Sequence, residues 1–205
     1  MSIRVERQNL LFVLSAPSGG GKSTLCRRLL ESDSDLAYSV STTTRPKRAG
    51  EVEGVAYNFV SVEEFDRLRR EGAFVESATV HDHLYGTRRD LIERTLAGGR
   101  DVLMDVDVQG AASIRRVSER AVLIFVLPPS MRILEERLRR RESDGEEAIR
   151  RRLATAREEI ARAAEFDYVV LNDSLDDAVA ETRGIIRAER RRLRNVRIVC
   201  EGEGD

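Results

Sequence analysis

The chain is poor in the side chains that build metal centres: among 205 residues it has two cysteines, Cys26 and Cys200, and two histidines, His81 and His83. The cysteines allow at most one bridge and have no metal-site spacing, so both are read as structural thiols. The histidines stand two apart in a polar turn with no third ligand signalled, which fits solvated or hydrogen-bonding side chains. Long apolar runs are missing too. The longest, Ala121 to Leu127, falls far short of the roughly 20 residues that span a bilayer, so neither a transmembrane helix nor a membrane partner is expected. The opening Ser2-Ile3-Arg4-Val5-Glu6-Arg7 is charged where a secretory signal needs apolar residues, and a cytoplasmic location is expected. There is no excess of charge of one sign: 35 basic residues face 36 acidic ones. That removes the global basic excess of a dedicated nucleic-acid binder. The arginine runs 139–141, 150–152 and 190–192 are interspersed with glutamates and lack stacking aromatics, which reads as solvated helix faces and no nucleic-acid partner. Lysine is as scarce: Lys22 and Lys47 are the only two, and the other 33 basic side chains are arginines. Where such a chain keeps a lysine, a site that needs a compact ammonium gains credit.

What is present is enough apolar residue, 41%, for one sizeable core with small inserted lobes. Leu10 to Leu14 is a strand-forming run, followed by a glycine-rich segment and an amphipathic stretch carrying Leu25, Leu29 and Leu30. Further apolar runs at 102–104, 122–127 and 168–171 are separated by helical patterns, as in buried parallel strands, so the expected fold class is α/β. Segments 38–44 and 57–61 read as strands joined by a turn-rich stretch. A helix is predicted from Ser61, with a capping box completed by Glu64, to a stop at Gly72, and another over 87–97 ended by Gly98-Gly99. From Pro128 to Ala164 the pattern gives two polar helices broken near Ser143-Asp144-Gly145, with too few large apolar residues for a core element throughout, and is read as an exposed, movable flap. A last helix, capped by Ser174 with Asp177, is predicted to reach about Arg194, followed by a short strand or a loose tail. The expected division of this single domain is a core over about 9–37, 98–127 and 166–194, an inserted lobe over 38–97, the flap as a lid over 128–165, and a tail over 195–205.

Ala16-Pro17-Ser18-Gly19-Gly20-Gly21-Lys22-Ser23-Thr24 lies between strand and helix, where a phosphate cradle belongs. Glycines let successive backbone N–H groups converge on phosphate oxygens, Lys22 can reach the outer phosphates, and Ser23 can ligate magnesium. The strict G-x-x-x-x-G-K-[ST] pattern is missed by one methyl group, at Ala16. A nucleoside triphosphate is the expected ligand. In the inserted lobe, Arg45 and Arg48 flank a turn in a manner suited to gripping a phosphate dianion.

Five ordered blocks, 15–19, 39–51, Tyr57-Asn58-Phe59-Val60, Tyr85-Gly86-Thr87 and 105–110, resemble those of the guanylate kinases over about residues 9–190. The resemblance implies a P-loop NTPase core with a parallel sheet flanked by helices, an inserted GMP-binding lobe and a helical lid. It also implies magnesium-dependent phosphoryl transfer from ATP to GMP, with dGMP as a further acceptor, in purine nucleotide metabolism. By that resemblance Arg45, Arg48, Tyr57 and Tyr85 grip the GMP phosphate, while Ser41, Glu76, Thr87 and Asp107 contact guanine, with Gly86 beside them. Asp105 takes the place of the acidic residue near magnesium and the phosphates, Arg137 and Arg141 match the lid arginines with Arg152 as a candidate third, and Asn172 resembles the residue touching the ATP base. The departures are Ala56, where the family often has aspartate, Ala16, and a tail beyond Arg194 that is longer than usual.

The chemistry of the residues agrees. A Glu76 carboxylate is an acceptor only, which suits guanine's N1–H and amino group and not the corresponding edge of adenine. Asp105 and Asp107 are expected to alternate onto one strand face. No general base is required, because a phosphate monoester with a second pKa of about 6 is largely ionised near neutrality. Lys22, Arg45 and the lid arginines would offset like-charge repulsion and hold the oxygens in line. Arg137 and Arg141, four apart, project from one helical face. Two other readings compete. A non-enzymatic interaction module of the same fold would have a degraded nucleotide site, against which Gly21, Lys22, Ser23, Arg45 and Arg137 argue. A P-loop kinase for another phosphorylated small molecule would lack the Ser41, Glu76 and Thr87 set.

Overall fold

In the computed structural model, which describes residues 2–80, 82–140 and 145–201, the chain opens with β1 (Ser2–Arg7), β2 (Leu11–Ser15), α1 (Lys22–Ser32) and β3 (Leu36–Tyr38). There follow β4 (Thr42–Thr43), β5 (Asn58–Phe59), α2 (Val62–Arg70), β6 (Phe74–Val80), β7 (His83–Arg88) and α3 (Arg89–Ala97). Then come β8 (Asp101–Asp105), α4 (Val108–Val117), β9 (Val122–Leu127), α5 (Met131–Arg139) and α6 (Glu146–Ala161). The chain closes with β10 (Tyr168–Leu171), α7 (Leu175–Glu189) and β11 (Val196–Glu201).

The apolar runs form a five-stranded sheet in the order β10-β9-β2-β8-β3, with every neighbouring pair parallel. Both faces are covered. Phe12 and Leu14 point to the layer of α1 and α7, meeting Leu25, Leu29, Ala178 and Ile186. Their neighbours Leu11 and Val13 point the other way, to Ile92 of α3 and to Ala111 and Ile114 of α4. This two-residue alternation between two apolar layers is why the strands read as continuous hydrophobic runs. Each fully buried side chain such as Phe12 or Leu29 contributes about 1.5–3 kcal/mol. The carboxyl ends of β2 and β8 meet at one edge, where ligands of open α/β sheets bind.

A second sheet, β5-β4-β7-β6, holds the inserted residues. Here several expectations are corrected. The run 38–44 is broken: Tyr38 pairs with Leu103 in the core sheet, and the chain leaves that sheet at Ser39, whose N–H donates to Leu103 O, before Thr42 and Thr43 join the second sheet. Within 57–61, pairing is confined to Asn58 and Phe59. Thr87 is a strand residue, not the start of a helix, because it pairs with Glu76 across the β6–β7 ladder; α3 begins two residues later. Ser61 does cap α2, accepting from Glu64 N–H at 3.2 Å, but the Glu64 carboxylate is held by Arg67, so its half of the capping box is diverted.

Asp107 does not share a strand face with Asp105. The strand ends at Asp105, and Asp107 caps α4 by accepting from Gly110 N–H at 2.7 Å. The flap has its own apolar seam, Leu134 and Leu138 of α5 against Ile149, Leu153 and Ala156 of α6, which is more core than its composition suggested. The expected break at 143–145 falls largely on residues outside those described, as do Arg141 and His81.

Helix α7 stops at Glu189, short of Arg194. Asn195 turns the chain back by donating to Glu189 O at 2.9 Å. The described part of the tail is a strand: β11 runs antiparallel to β1, so residues 2–7 form a two-stranded ribbon with residues 196–201. Ile3, Val5 and Ile198 lie on one exposed face of it. A fully buried carboxylate, Asp101, ties this ribbon to the core. It accepts from Arg7 at 2.9 Å, from Arg190 at 2.6 Å and from the Leu10 N–H at 2.7 Å. Asp101→Ala would strip one of two carboxylate partners from Arg7 and from Arg190, which keep Asp35 and Asp33, and would leave the buried Leu10 N–H without its acceptor, and is expected to cost about 3 kcal/mol. Urea denaturation checks this; a loss below about 0.5 kcal/mol, the size of an ordinary surface change, would remove Asp101 as the tie.

Candidate active site

The loop after β2 is built to leave backbone donors open. Helix α1 starts at Lys22 behind Gly21, which has φ 91°, and the N-terminus has neither a side-chain cap nor an acidic residue in its first turn. Its orphan N–H groups and the helix dipole are therefore available to an anion. Glycine is required at Gly21 twice over, since a Cβ there would lie 2.2 Å from Asn172 Nδ2. Asn172, only 4% exposed, donates that nitrogen to Gly20 O at 2.7 Å, so the residue expected at the ATP base also braces the loop. The methyl group of Ala16 packs into the core cluster. A cavity of about 340 Å³ opens over 16–24, bounded by Asp105, Asp107 and Glu159.

Lys22 reaches across to the end of β8. Its Nζ donates to Val106 O at 2.8 Å and stands 3.7 Å from Asp105. Asp105 also accepts from the Tyr38 hydroxyl. Burial and the adjacent Asp105 raise the Tyr38 pKa and hold it protonated. Burial likewise raises the Cys26 thiol, with Asp105 adding to it, as expected of a structural thiol; Cys200, by contrast, is exposed.

A second cleft, of about 300 Å³, lies between the two sheets and is lined by Lys22, Ser23, Tyr38, Ser41, Tyr57, Glu76, Tyr85, Asp105 and Asp107. On its floor Glu76 of β6 accepts from Thr87 Oγ1 at 2.6 Å. Burial raises the pKa of Glu76, the Thr87 hydroxyl opposes this, and Asp107 adds to it. Gly86 sits beneath the cleft and not in its wall, pressed against Phe74, which a Cβ would meet at 2.9 Å.

Arg45, 8% exposed, is set beside the cleft with its guanidinium 5.3 Å from the Tyr57 ring centre and 5.8 Å from that of Phe59. Nη1 donates to Pro46 O at 2.8 Å and Nη2 to Glu51 at 2.5 Å. The Arg45 contact holds the Glu51 carboxyl below its usual range, and the Arg48 N–H adds to this from the other oxygen. The Arg48 side chain itself is exposed.

On the far side of the loop, Arg137 donates Nη2 to Asn172 O at 3.0 Å, while its buried Nη1 has no hydrogen-bond partner. With Arg140, Gly19, Gly21 and Thr24 it lines a side cavity of about 360 Å³. Arg152 lies on α6, partly exposed. Sequence reasoning missed four residues here. Glu51 was visible inside a motif without a role; Tyr38 looked like the start of a lobe strand; Arg140 and Glu159 lie in helices whose charge pattern marks nothing.

The chain is similar to known proteins over nearly its whole length. A family model described as guanylate kinase matches residues 8–189. The guanylate kinase of Rhizobium etli is 50% identical over 191 residues, covering 93% of this chain and 87% of its own length. That of Caldanaerobacter subterraneus is 45% identical over 189 residues, 92% of each chain. A crystal structure of guanylate kinase from Anaplasma phagocytophilum superimposes with a TM-score of 0.76 at 34% identity, covering 94% of this chain and 92% of that one. With nearly the whole chain matched by the family model, by curated relatives and by a solved structure, this protein belongs to the guanylate kinase family.

Proposed function

We propose that the chain transfers the γ-phosphoryl group of ATP to GMP, giving ADP and GDP in purine nucleotide metabolism, with dGMP as a second acceptor and the cytoplasm as its compartment. One observation carries the reading: the P-loop cavity and the base cleft share Lys22, Ser23, Asp105 and Asp107, so a donor in one and an acceptor in the other meet at those four residues.

In this scheme the N–H groups of 19–24 hold the donor phosphates and Asn172 with Arg137 borders the ATP base. Arg45, Arg48, Tyr57 and Tyr85 hold the acceptor phosphate, and Ser41, Glu76 with Thr87, and Asp107 read guanine. Lys22 shifts from Val106 O to the transferring group. The acceptor oxygen is already ionised, so the residues supply charge and alignment and no proton need be removed. The lid α5–α6, which supplies Arg137, closes over the donor and excludes water that would otherwise hydrolyse it.

The donor set fits magnesium. The Ser23 hydroxyl and the Asp105 carboxylate are hard oxygen ligands, and the described residues contain no cluster of three or more acidic, histidine or cysteine side chains that would cage a cation alone. Magnesium keeps several waters and is held through one or two protein oxygens plus substrate phosphates. When bound, it would neutralise charge on the donor phosphates. Among the described residues no helix is long and apolar enough to cross a membrane.

The test is ADP formation from magnesium-ATP with GMP, AMP, CMP, UMP or no acceptor. Turnover with GMP alone is expected. ATP binding without turnover of any acceptor would favour an interaction module, and turnover confined to a non-guanine phosphate would overturn the roles of Ser41, Glu76 and Thr87.

A further inference from the structure

Glu159, on lid helix α6, is used by nothing in that scheme, yet it faces the phosphate loop. Its carboxylate lies by the backbone N–H of Ser18 and lines the cavity that also holds Lys22, Asp105 and Asp107. Its second oxygen, Oε2, is buried without a hydrogen-bond partner. A buried acceptor without a donor leaves the negative charge of this carboxylate poorly screened beside the cavity. Burial also raises the Glu159 pKa, with Asp107 adding to the rise and Lys22 opposing it, so the group feels its unpaired charge.

Taking the P-loop cavity as the seat of the ATP phosphates, a reading on which this step rests, we infer that Glu159 makes the cradle selective for metal-loaded over metal-free nucleotide. The carboxylate acts oppositely on the two forms. A metal-free triphosphate brings about four negative charges to a cavity that already contains three carboxylates and one ammonium, and like charges a few ångströms apart repel. The metal-loaded form halves that charge and with it the repulsion. The side chain thus disfavours a nucleotide that could occupy the site but not react.

Affinity for ATP, measured by calorimetry at pH 8 to keep the carboxyl ionised, with excess magnesium or with EDTA, tests this in the full chain. Glu159→Gln keeps the length and a carbonyl beside the Ser18 N–H but removes the charge. The ratio of metal-free to metal-loaded dissociation constants should fall about tenfold, mostly because metal-free ATP binds more tightly, as expected for one like-charge contact at intermediate dielectric. GMP affinity should not change. Glu159→Asp keeps the charge and should keep the wild-type ratio even if its shorter reach loosens the Ser18 contact and lowers the melting temperature. An unchanged ratio in Glu159→Gln, or parallel weakening of both forms, would overturn the inference and leave a purely structural tie. Failure of wild type to bind ATP in either form would instead overturn the P-loop reading beneath it.

Discussion

Arg45→Ala should lower kcat/KM for GMP by about 10³-fold while ATP affinity stays within about a factor of two. The expected loss follows from how the side chain is held. Its guanidinium is buried against two aromatic rings, with one nitrogen on Pro46 O and another on Glu51, so its fork is fixed before a phosphate arrives. Two charge-assisted hydrogen bonds to a dianion are worth about 1.5–3 kcal/mol each, and every 1.4 kcal/mol is roughly tenfold. Lysine should not rescue the variant, because an ammonium cannot meet Glu51 and a phosphate in the same plane. Steady-state kinetics over GMP concentration, with calorimetry for ATP and a melting curve to confirm folding, decide the matter. A loss below tenfold would mean that Arg45 is a structural partner of Glu51 and not the grip on the acceptor.

Glu76→Gln should collapse the preference for GMP over AMP by about 10³- to 10⁴-fold, the range for a site built around specific hydrogen bonds. The carboxylate offers acceptors alone; glutamine places an amide donor against guanine's N1–H or amino group and leaves one pairing unmade. The pH dependence has a definite sign. Burial raises the Glu76 pKa, so the ionised reader is lost as pH falls through a value above the ordinary carboxylate range. The KM for GMP in the wild type should therefore rise on acidification beyond the rise that protonation of the GMP phosphate, with its second pKa of about 6, imposes on both proteins, and only this extra rise should vanish in Glu76→Gln. Kinetics with GMP and AMP over the acidic range supply both results; an unchanged GMP to AMP ratio would end the base-reading assignment.

What could be read in the sequence was chemistry packed into consecutive residues. The phosphate loop needs a strand, glycines at set offsets and a helix start, all within 10–32, and no distant residue has to be known. Glu76 and Thr87 were legible as members of a base-reading set, but not as a hydrogen-bonded pair, because their contact depends on the register of a hairpin. The same blindness put Thr87 into a helix: a threonine before an amphipathic stretch looks like a cap until its partner strand is known. Asp107 was misplaced for a related reason, since two-residue spacing looks alike whether a strand continues or a helix begins. Glu159 gave no signal, because on a lid helix rich in glutamate and arginine only the docking of α6 on Ser18 separates it from its solvated neighbours. The tail was ambiguous until its partner, the first strand, was seen beside it.

That pairing bears on how the molecule comes apart. β1 and β11 meet across nearly the whole length of the chain, yet loop-closure entropy grows only logarithmically, so remoteness in sequence is a minor penalty. What the ribbon lacks, among the described residues, is a covering layer over Ile3, Val5 and Ile198. Its hold on the core is concentrated at one end, where Arg7 meets Asp101, while the Ser2–Glu201 end is remote from that anchor. The ribbon is therefore a separate low-stability unit that unzips from its free end inward, and backbone amides there exchange with solvent without any opening of the sheet that carries the phosphate loop.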